Sequence, residues 1–346
     1  MVQKGWQGNF FEDFEVGQRI PCPPPRRITE GDVASYIALT GDRTPAYCGV
    51  GSWIHPLVTF HTVFGQTVRP ISLNARANLG YAGIIWGAPV SVGDTLTTSL
   101  EVVGLKENSN RQTGVVYVRT VGVNQWGEEV LSYWRWVMVK KRGDAATPWL
   151  DAPVVPDLPG QVEPATLRLP PFRPGSAAET GARFAFEDYT VGERVLHHDG
   201  MTVNPSDHMA FTRLFQNSAK VHFDARLMDG RPLVYGGVVI SHCYAMALNG
   251  FEARQGIAGI NGGSHVSPVY AGDTLYALSE VLAVDPLGDA PVGAVRVRLV
   301  GIKNLDPASD PAGFPLRVDD PKGPGKKVPN PALVLDLDFW ELVAKR

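Results

Sequence analysis

The chain has 346 residues, 44% of them hydrophobic and 19% charged, which describes a folded protein with room for two cores rather than a disordered one. Its formal net charge of −3 gives no basic footprint for nucleic acid or an anionic membrane, and no apolar run approaches the ~18 residues of a membrane helix. Three scattered cysteines, Cys22, Cys48 and Cys243, make neither a disulfide framework nor a zinc site; with no signal-peptide core at the start, a cytoplasmic protein without a metal is expected.

The segment Phe11-Glu-Asp-Phe-Glu-Val-Gly-Gln-Arg-Ile20 leads into an opening strand. Thr29-Glu-Gly-Asp32 has the form of a capping box, and Tyr36, Leu39 and Thr40 fall on one face of the helix it starts. After the loop Asp42-Arg-Thr-Pro-Ala-Tyr47 the pattern predicts a second helix over 57–68, apolar nearly all round. Three strands rich in Val, Thr and aromatic residues are predicted over 95–103, 115–123 and 130–140. The next stretch, 148–179, carries Pro148, Pro153, Pro156, Pro159, Pro164, Pro170, Pro171 and Pro174. Proline fixes φ and removes a donor, so an extended linker is expected.

The same series then returns. Phe186-Glu-Asp-Tyr-Thr-Val-Gly-Glu-Arg-Val195 repeats the opening segment, and Asn204 with Pro205 reads as N-cap and first residue of a helix carrying Phe211, Leu214 and Phe215 on one face. The loop Asn217-Ser-Ala-Lys-Val-His222 stands opposite Asp42–Tyr47, and a second apolar helix is predicted over 234–248, with Asn249-Gly250 as its C-cap. Pro268-Val-Tyr-Ala-Gly-Asp-Thr-Leu275 matches Pro89-Val-Ser-Val-Gly-Asp-Thr-Leu96, Val295–Gly301 matches Val116–Gly122, and Val334–Trp340 matches Val130–Trp136. The spacing of the last pair implies an insertion of about 25 residues in the second copy, a loop or hairpin excursion over the Pro- and Gly-crowded stretch 306–331. Two copies are too few for a solenoid, so two domains are expected, 1–147 and 180–346. Each is an α+β unit, a meander of long strands wrapped around a buried helix.

This order of motifs resembles the MaoC-like hydratase/dehydratase family, and two copies imply a fused double hot-dog fold. Pro-Val-x-x-Gly-Asp-Thr-Leu appears at 89–96 and 268–275, Pro232-Leu-Val-Tyr-Gly236 opens the central helix, and Asn217 and His222 occupy the positions of the family's catalytic loop pair. More narrowly, Ile71–Gly83, Gly114–Arg119, Val121–Trp126, Gln216–Phe223 and Ile260–Pro268 are similar to the mesaconyl-CoA hydratases, also called β-methylmalyl-CoA dehydratases. That resemblance implies reversible dehydration of β-methylmalyl-CoA to mesaconyl-CoA, with an acyl-CoA thioester as partner, no separate cofactor, and assembly into a homo-oligomer.

Hydrating an enoyl thioester needs a base for water, an acid for the α-carbon and donors for the developing enolate oxygen. His222 suits the proton work because imidazole titrates near neutrality. An Asn at 217, where the family has Asp, cannot accept a proton, so it is read as positioning the water. Tyr235, Gly236 and Gly237 at the helix opening are read as substrate-binding, the glycines as backbone donors to the thioester carbonyl. In the first copy Tyr47 replaces the histidine and Phe60 stands where Gly236 stands, so a single active site in the second half is expected, with Asp42 a solvated loop carboxylate and the first half shaping the acyl pocket. The free carboxylate of a branched C4 dicarboxyl substrate needs a cation, for which Arg43, Arg76, Arg213 or Lys220 are available. His197, His198, His208, His242 and His265 lack metal-ligand spacing. The same residues also fit an R-specific 2-enoyl-CoA hydratase for simple acyl chains, a non-catalytic acyl-CoA-binding protein, or a hot-dog thioesterase.

Overall fold

The computed structural model describes residues 4–48, 53–147, 152–169, 175–227, 229–309, 313–323 and 325–346. In the first half, strand β1 (Arg19–Arg27) precedes helix α1 (Glu30–Thr40). The Thr29 side chain accepts from the Asp32 N–H while Asp32 reaches back to the Thr29 N–H, so the capping box forms as its sequence requires. A single turn, α2 (Pro45–Cys48), leads to α3 (Pro56–Thr67), whose residues after Pro56 are all buried. Four strands follow: β2 (Ala75–Trp86), β3 (Thr95–Glu107), β4 (Thr113–Val123) and β5 (Glu129–Lys140).

The second half repeats this order after one helical turn, α4 (Ala177–Thr180): β6 (Arg194–Thr202), α5 (Pro205–Leu214), α6 (Gly236–Met246), β7 (Arg254–His265), β8 (Thr274–Asp285) and β9 (Val292–Lys303). Asn204 caps α5 through the Ser206 N–H. The excursion contains a small hairpin, β10 (Arg317–Asp319) against β11 (Lys327–Pro329), before the closing strand β12 (Leu333–Ala344). Residues 310–312 and 324 of that excursion lie outside the described residues, as do 148–151 and 170–174 of the linker.

All ten long strands join one antiparallel sheet in the order β1-β3-β4-β5-β2-β7-β12-β9-β8-β6. The halves meet where β2 pairs with β7, Tyr81 opposite Gly263 and Ile85 opposite Gly259. This is the fused double hot-dog architecture. The seam strands are absent from the predicted set because their glycines break the apolar alternation, and the glycines have a packing reason. A Cβ on Gly80 would lie 2.4 Å from the Trp136 ring, and one on Gly263 would lie 2.5 Å from Leu337.

Helices α3 and α6 are buried on all sides, and His61 Nε2 meets Ser241 Oγ at 2.8 Å to tie one helix to the other. Phe60, Phe64, Tyr81, Phe211, Phe215 and Tyr235 belong to one core shared by both halves. Burying each such ring contributes about 2–3 kcal/mol. Helix α6 stops earlier than its sequence predicts: Ala247 is the C-cap, and Asn249-Gly250 lies beyond in a turn where Gly250 takes φ +117° and its carbonyl accepts the Tyr189 hydroxyl at 2.7 Å.

The described part of the linker is extended except for short helical turns at Pro164–Thr166 and Ala177–Thr180, and it is pinned to both halves. Val154 exchanges two backbone hydrogen bonds with Leu105 of β3, at 2.8 and 2.9 Å, while the Val162 carbonyl accepts the Trp340 indole N–H of β12 at 2.9 Å. Among the described residues no helix is long and apolar enough to cross a membrane.

Candidate active site

The catalytic-loop geometry begins where α5 ends. Gln216 adopts a left-handed φ of +54°, and the chain folds back so that the Asn217 N–H donates to the Thr212 carbonyl at 3.0 Å, a 6→1 helix stop. Asn217 Oδ1 accepts the Ala219 N–H at 3.1 Å. Because a backbone N–H only donates, that bond fixes the amide orientation and leaves the Nδ2 donors as the free end. Five residues on, His222 Nδ1–H donates to the Leu233 carbonyl at 2.8 Å, which leaves Nε2 unprotonated. Burial and then the nearby His208 push its pKa down to about 4, against the opposing effect of the Leu233 bond, so the imidazole is neutral at pH 7.

Helix α6 opens directly beside this loop. Tyr235 is its N-cap with no side-chain cap bond, so the first N–H groups have no intrahelical acceptor and carry the positive end of the helix dipole. Gly236 borders the open space. A Cβ there would lie 2.5 Å from His265 Cε1 and Nε2, so the glycine is what lets that imidazole approach the helix end. Gly237 has a different job: its added Cβ would meet the Tyr235 ring at 2.5 Å and His61 at 2.9 Å, a packing position away from the open space. Tyr235 is buried, stacks on Phe64 with ring centroids 5.7 Å apart, and faces His222 at 5.6 Å.

These groups surround a cavity of about 380 Å³ to which both halves contribute. Asn217, His222, Tyr235, Gly236 and Arg76 line it; Gly237 and Arg43 do not. Arg76 is exposed, and Lys140 close by has its pKa lowered by burial and then by the charges of Arg76 and Lys220, which places three cations together at this edge. The cavity also holds residues that the sequence motifs did not single out: His265, whose Nε2 meets the Tyr81 hydroxyl at 3.2 Å across the seam, and Asn78 and Arg135 from the first half. Burial, followed by the charge of His222, pushes His265 down to about 4. In the sequence it falls within the stretch Ile260–Pro268 that carries the family resemblance, with no role assigned to it.

The corresponding place in the first half is filled. Asp42 is not a solvated carboxylate: it is 2% exposed, and its Oδ1 accepts from Arg254 Nη2 at 2.9 Å and from the Thr44 N–H at 2.8 Å. His55 Nε2 stands 3.3 Å from Oδ2. Burial favours the neutral acid, but the Arg254 charge, His55 and the Thr44 hydrogen bonds prevail and hold Asp42 well below the usual carboxylate range. Arg254, also fully buried, donates to the Tyr244 carbonyl at 2.6 Å and lies over the Tyr244 ring at 3.9 Å. Phe60, in place of Gly236, packs on Tyr81 and Tyr133 with centroids 5.7 Å away in each case. Replacing Asp42 by Ala strands a buried guanidinium and is expected to cost about 3–5 kcal/mol in urea unfolding, while enzymatic turnover by the folded fraction stays near wild type. A loss below about 1 kcal/mol would show that the pair is not the lock it resembles.

Residues 2–152 match the family described as mesaconyl-CoA hydratase. Over the whole of both chains the sequence is 47% identical to the β-methylmalyl-CoA dehydratase of Chloroflexus aurantiacus. It is 46% identical to the mesaconyl-CoA hydratase of Cereibacter sphaeroides over 98% of each chain. The fold superposes on a MaoC domain protein dehydratase from Chloroflexus aurantiacus with a TM-score of 0.88 at 44% identity, covering 100% of both chains. It also superposes on a Mycobacterium tuberculosis protein with a double hotdog fold, TM-score 0.74 at 25% identity, over 97% of this chain and 98% of that one. Full-length identity at this level, together with the matching architecture, shows that the chain is a member of the mesaconyl-CoA hydratase family.

Proposed function

We propose that the cavity adds water reversibly to the double bond of mesaconyl-CoA, giving β-methylmalyl-CoA. The observation that carries this reading is a neutral His222 whose Nε2 is available to the cavity, beside the free Nδ2–H donors of Asn217 and the open N-terminus of α6. Water held by an Asn217 Nδ2–H presents a proton to His222 Nε2. As the oxygen bonds to the β-carbon, electron density moves onto the thioester oxygen, which accepts a hydrogen bond from the Gly236 N–H. The imidazolium then returns its proton to the α-carbon. One histidine thus serves as base and then as acid, because Asn217 can orient water but cannot take its proton. Arg76, Lys140 and Lys220 at the cavity edge supply the charge for the CoA phosphates.

Asn217→Asp replaces a donor by an acceptor at the water site and is expected to leave kcat at or below wild type, lower by about 10-fold. A variant far more active than wild type would overturn the positioning role of the amide. The reading as a whole is tested by following the loss of enoyl-thioester absorbance with mesaconyl-CoA and crotonyl-CoA, with a thiol reagent present in a parallel assay. Faster loss with mesaconyl-CoA and no thiol release is expected. Preference for crotonyl-CoA would favour a hydratase of simple acyl chains, and free CoA would favour a thioesterase.

A further inference from the structure

Arg135 and Arg254 are both 0% exposed, yet their surroundings differ in one respect. Arg254 has the Asp42 carboxylate at 2.9 Å. Arg135, in β5, gives only two hydrogen bonds, both from Nη2: to Thr67 Oγ1 at 2.9 Å and to Ser72 Oγ at 3.2 Å. Its Nε and Nη1 are buried without a partner, and among the described residues no carboxylate lies within ion-pair distance. The Phe64 ring 4.5 Å from the guanidinium carbon offers a cation–π contact, which does not neutralise a charge. A guanidinium stays charged, and a buried charge without a counter-ion is strongly unfavourable.

The missing anion has an evident place. Arg135 lines the cavity, and so does Asn78, whose amide oxygen and nitrogen are likewise buried and unpartnered. The two lie on adjacent strands, where Asn78 is opposite Val137 and Tyr81 is opposite Arg135. Both residues therefore line the same space as His222 and Gly236, while their unpaired polar atoms are closed to solvent.

We infer that Arg135, assisted by Asn78, binds the free carboxylate of the acyl group and so selects a dicarboxyl thioester over a simple one. The inference rests on the proposed hydration of mesaconyl-CoA and names the residue that reads its substrate. The exposed Arg76 is a weaker candidate, since solvent screens its charge, whereas a buried cation acts through a low dielectric.

The test compares mesaconyl-CoA with 2-methylcrotonyl-CoA, the same carbon skeleton with methyl in place of the carboxylate. Wild type should prefer mesaconyl-CoA, and Arg135→Met should reduce the ratio of the two kcat/KM values by about 10²-fold, mainly through KM for mesaconyl-CoA. Arg135→Lys, which keeps the charge but not the planar donors, should restore part of the ratio. The ligand-free methionine variant should melt at or above the wild-type temperature, because an uncompensated charge has been removed. Arg135→Gln serves if the methionine variant does not fold, and must show the same loss. If wild type prefers mesaconyl-CoA but the ratio is unmoved in these variants, the assignment of Arg135 is wrong and the hydratase reading stands. If wild type prefers 2-methylcrotonyl-CoA, both fall together.

Discussion

His222→Ala is expected to lower kcat for hydration of mesaconyl-CoA by about 10²–10⁴-fold, the range for loss of a general acid–base group. KM should change little, because the imidazole acts on water and on the transferring proton rather than anchoring the thioester. The fold should survive. His222 ends a short 3-10 turn, and among the described residues its side chain makes one hydrogen bond, from Nδ1 to the Leu233 carbonyl, a loss of about 1 kcal/mol. In the folded protein kcat/KM should be flat through neutral pH, because Nε2 becomes protonated only as pH falls toward about 4, so any loss of activity above that comes from unfolding rather than from titration of His222. Near-wild-type turnover in a folded His222→Ala protein would remove the histidine from the chemistry.

Acidification should also unfold the protein well above the range of ordinary carboxylates. Burial is the main cause that pushes His197, His222, His242 and His265 down to about 4 and His61 to about 3, against 6.5 for the exposed group. Between those values the unfolded chain binds protons that the folded chain refuses. The stability contributed by neutral burial is therefore complete above about pH 6.5 and is lost as pH falls toward 4. Glu341 works the other way. Burial outweighs the Arg254 charge and the Tyr244 hydrogen bond and raises its carboxyl to about 7, so the folded state gains protons, and stability, as pH falls below that value. At 1.36 kcal/mol per pKa unit, five histidines against one carboxyl leave a net loss of about 5–10 kcal/mol between pH 7 and pH 5. That is comparable to the whole stability of a typical fold. Urea midpoints at pH 7, 6 and 5 measure it directly. A flat profile would mean that these imidazoles are hydrated or paired with acids in solution.

The repeated motifs made the architecture legible, because a capping box, a proline-started helix and a Gly-Asp-Thr-Leu strand opening each have a local physical cause that occurs twice. Asn217, His222 and Gly236 were legible for the same reason, since their loop and helix opening are contiguous in sequence. What escaped was whatever the sheet assembles across the seam. His265 and Tyr81 are far apart in sequence and meet only because β2 pairs with β7, strands whose glycines hide their alternation. Arg135 sits in a strand of alternating burial like any other inward residue, and only its missing counter-ion sets it apart. Asp42 shows the converse: a polar loop residue read as solvated is locked by Arg254, which the linear sequence places in the other half.

Hydration of mesaconyl-CoA in D2O, with the product's relative configuration read by NMR, tests most directly whether one histidine carries the proton both ways. If His222 takes the proton from the attacking water and returns it to the α-carbon, hydroxyl and deuterium must add to the same face, with one deuterium at the α-carbon of β-methylmalyl-CoA. Addition to opposite faces would require a second proton carrier across the substrate and would contradict the account, as would the absence of any hydration product.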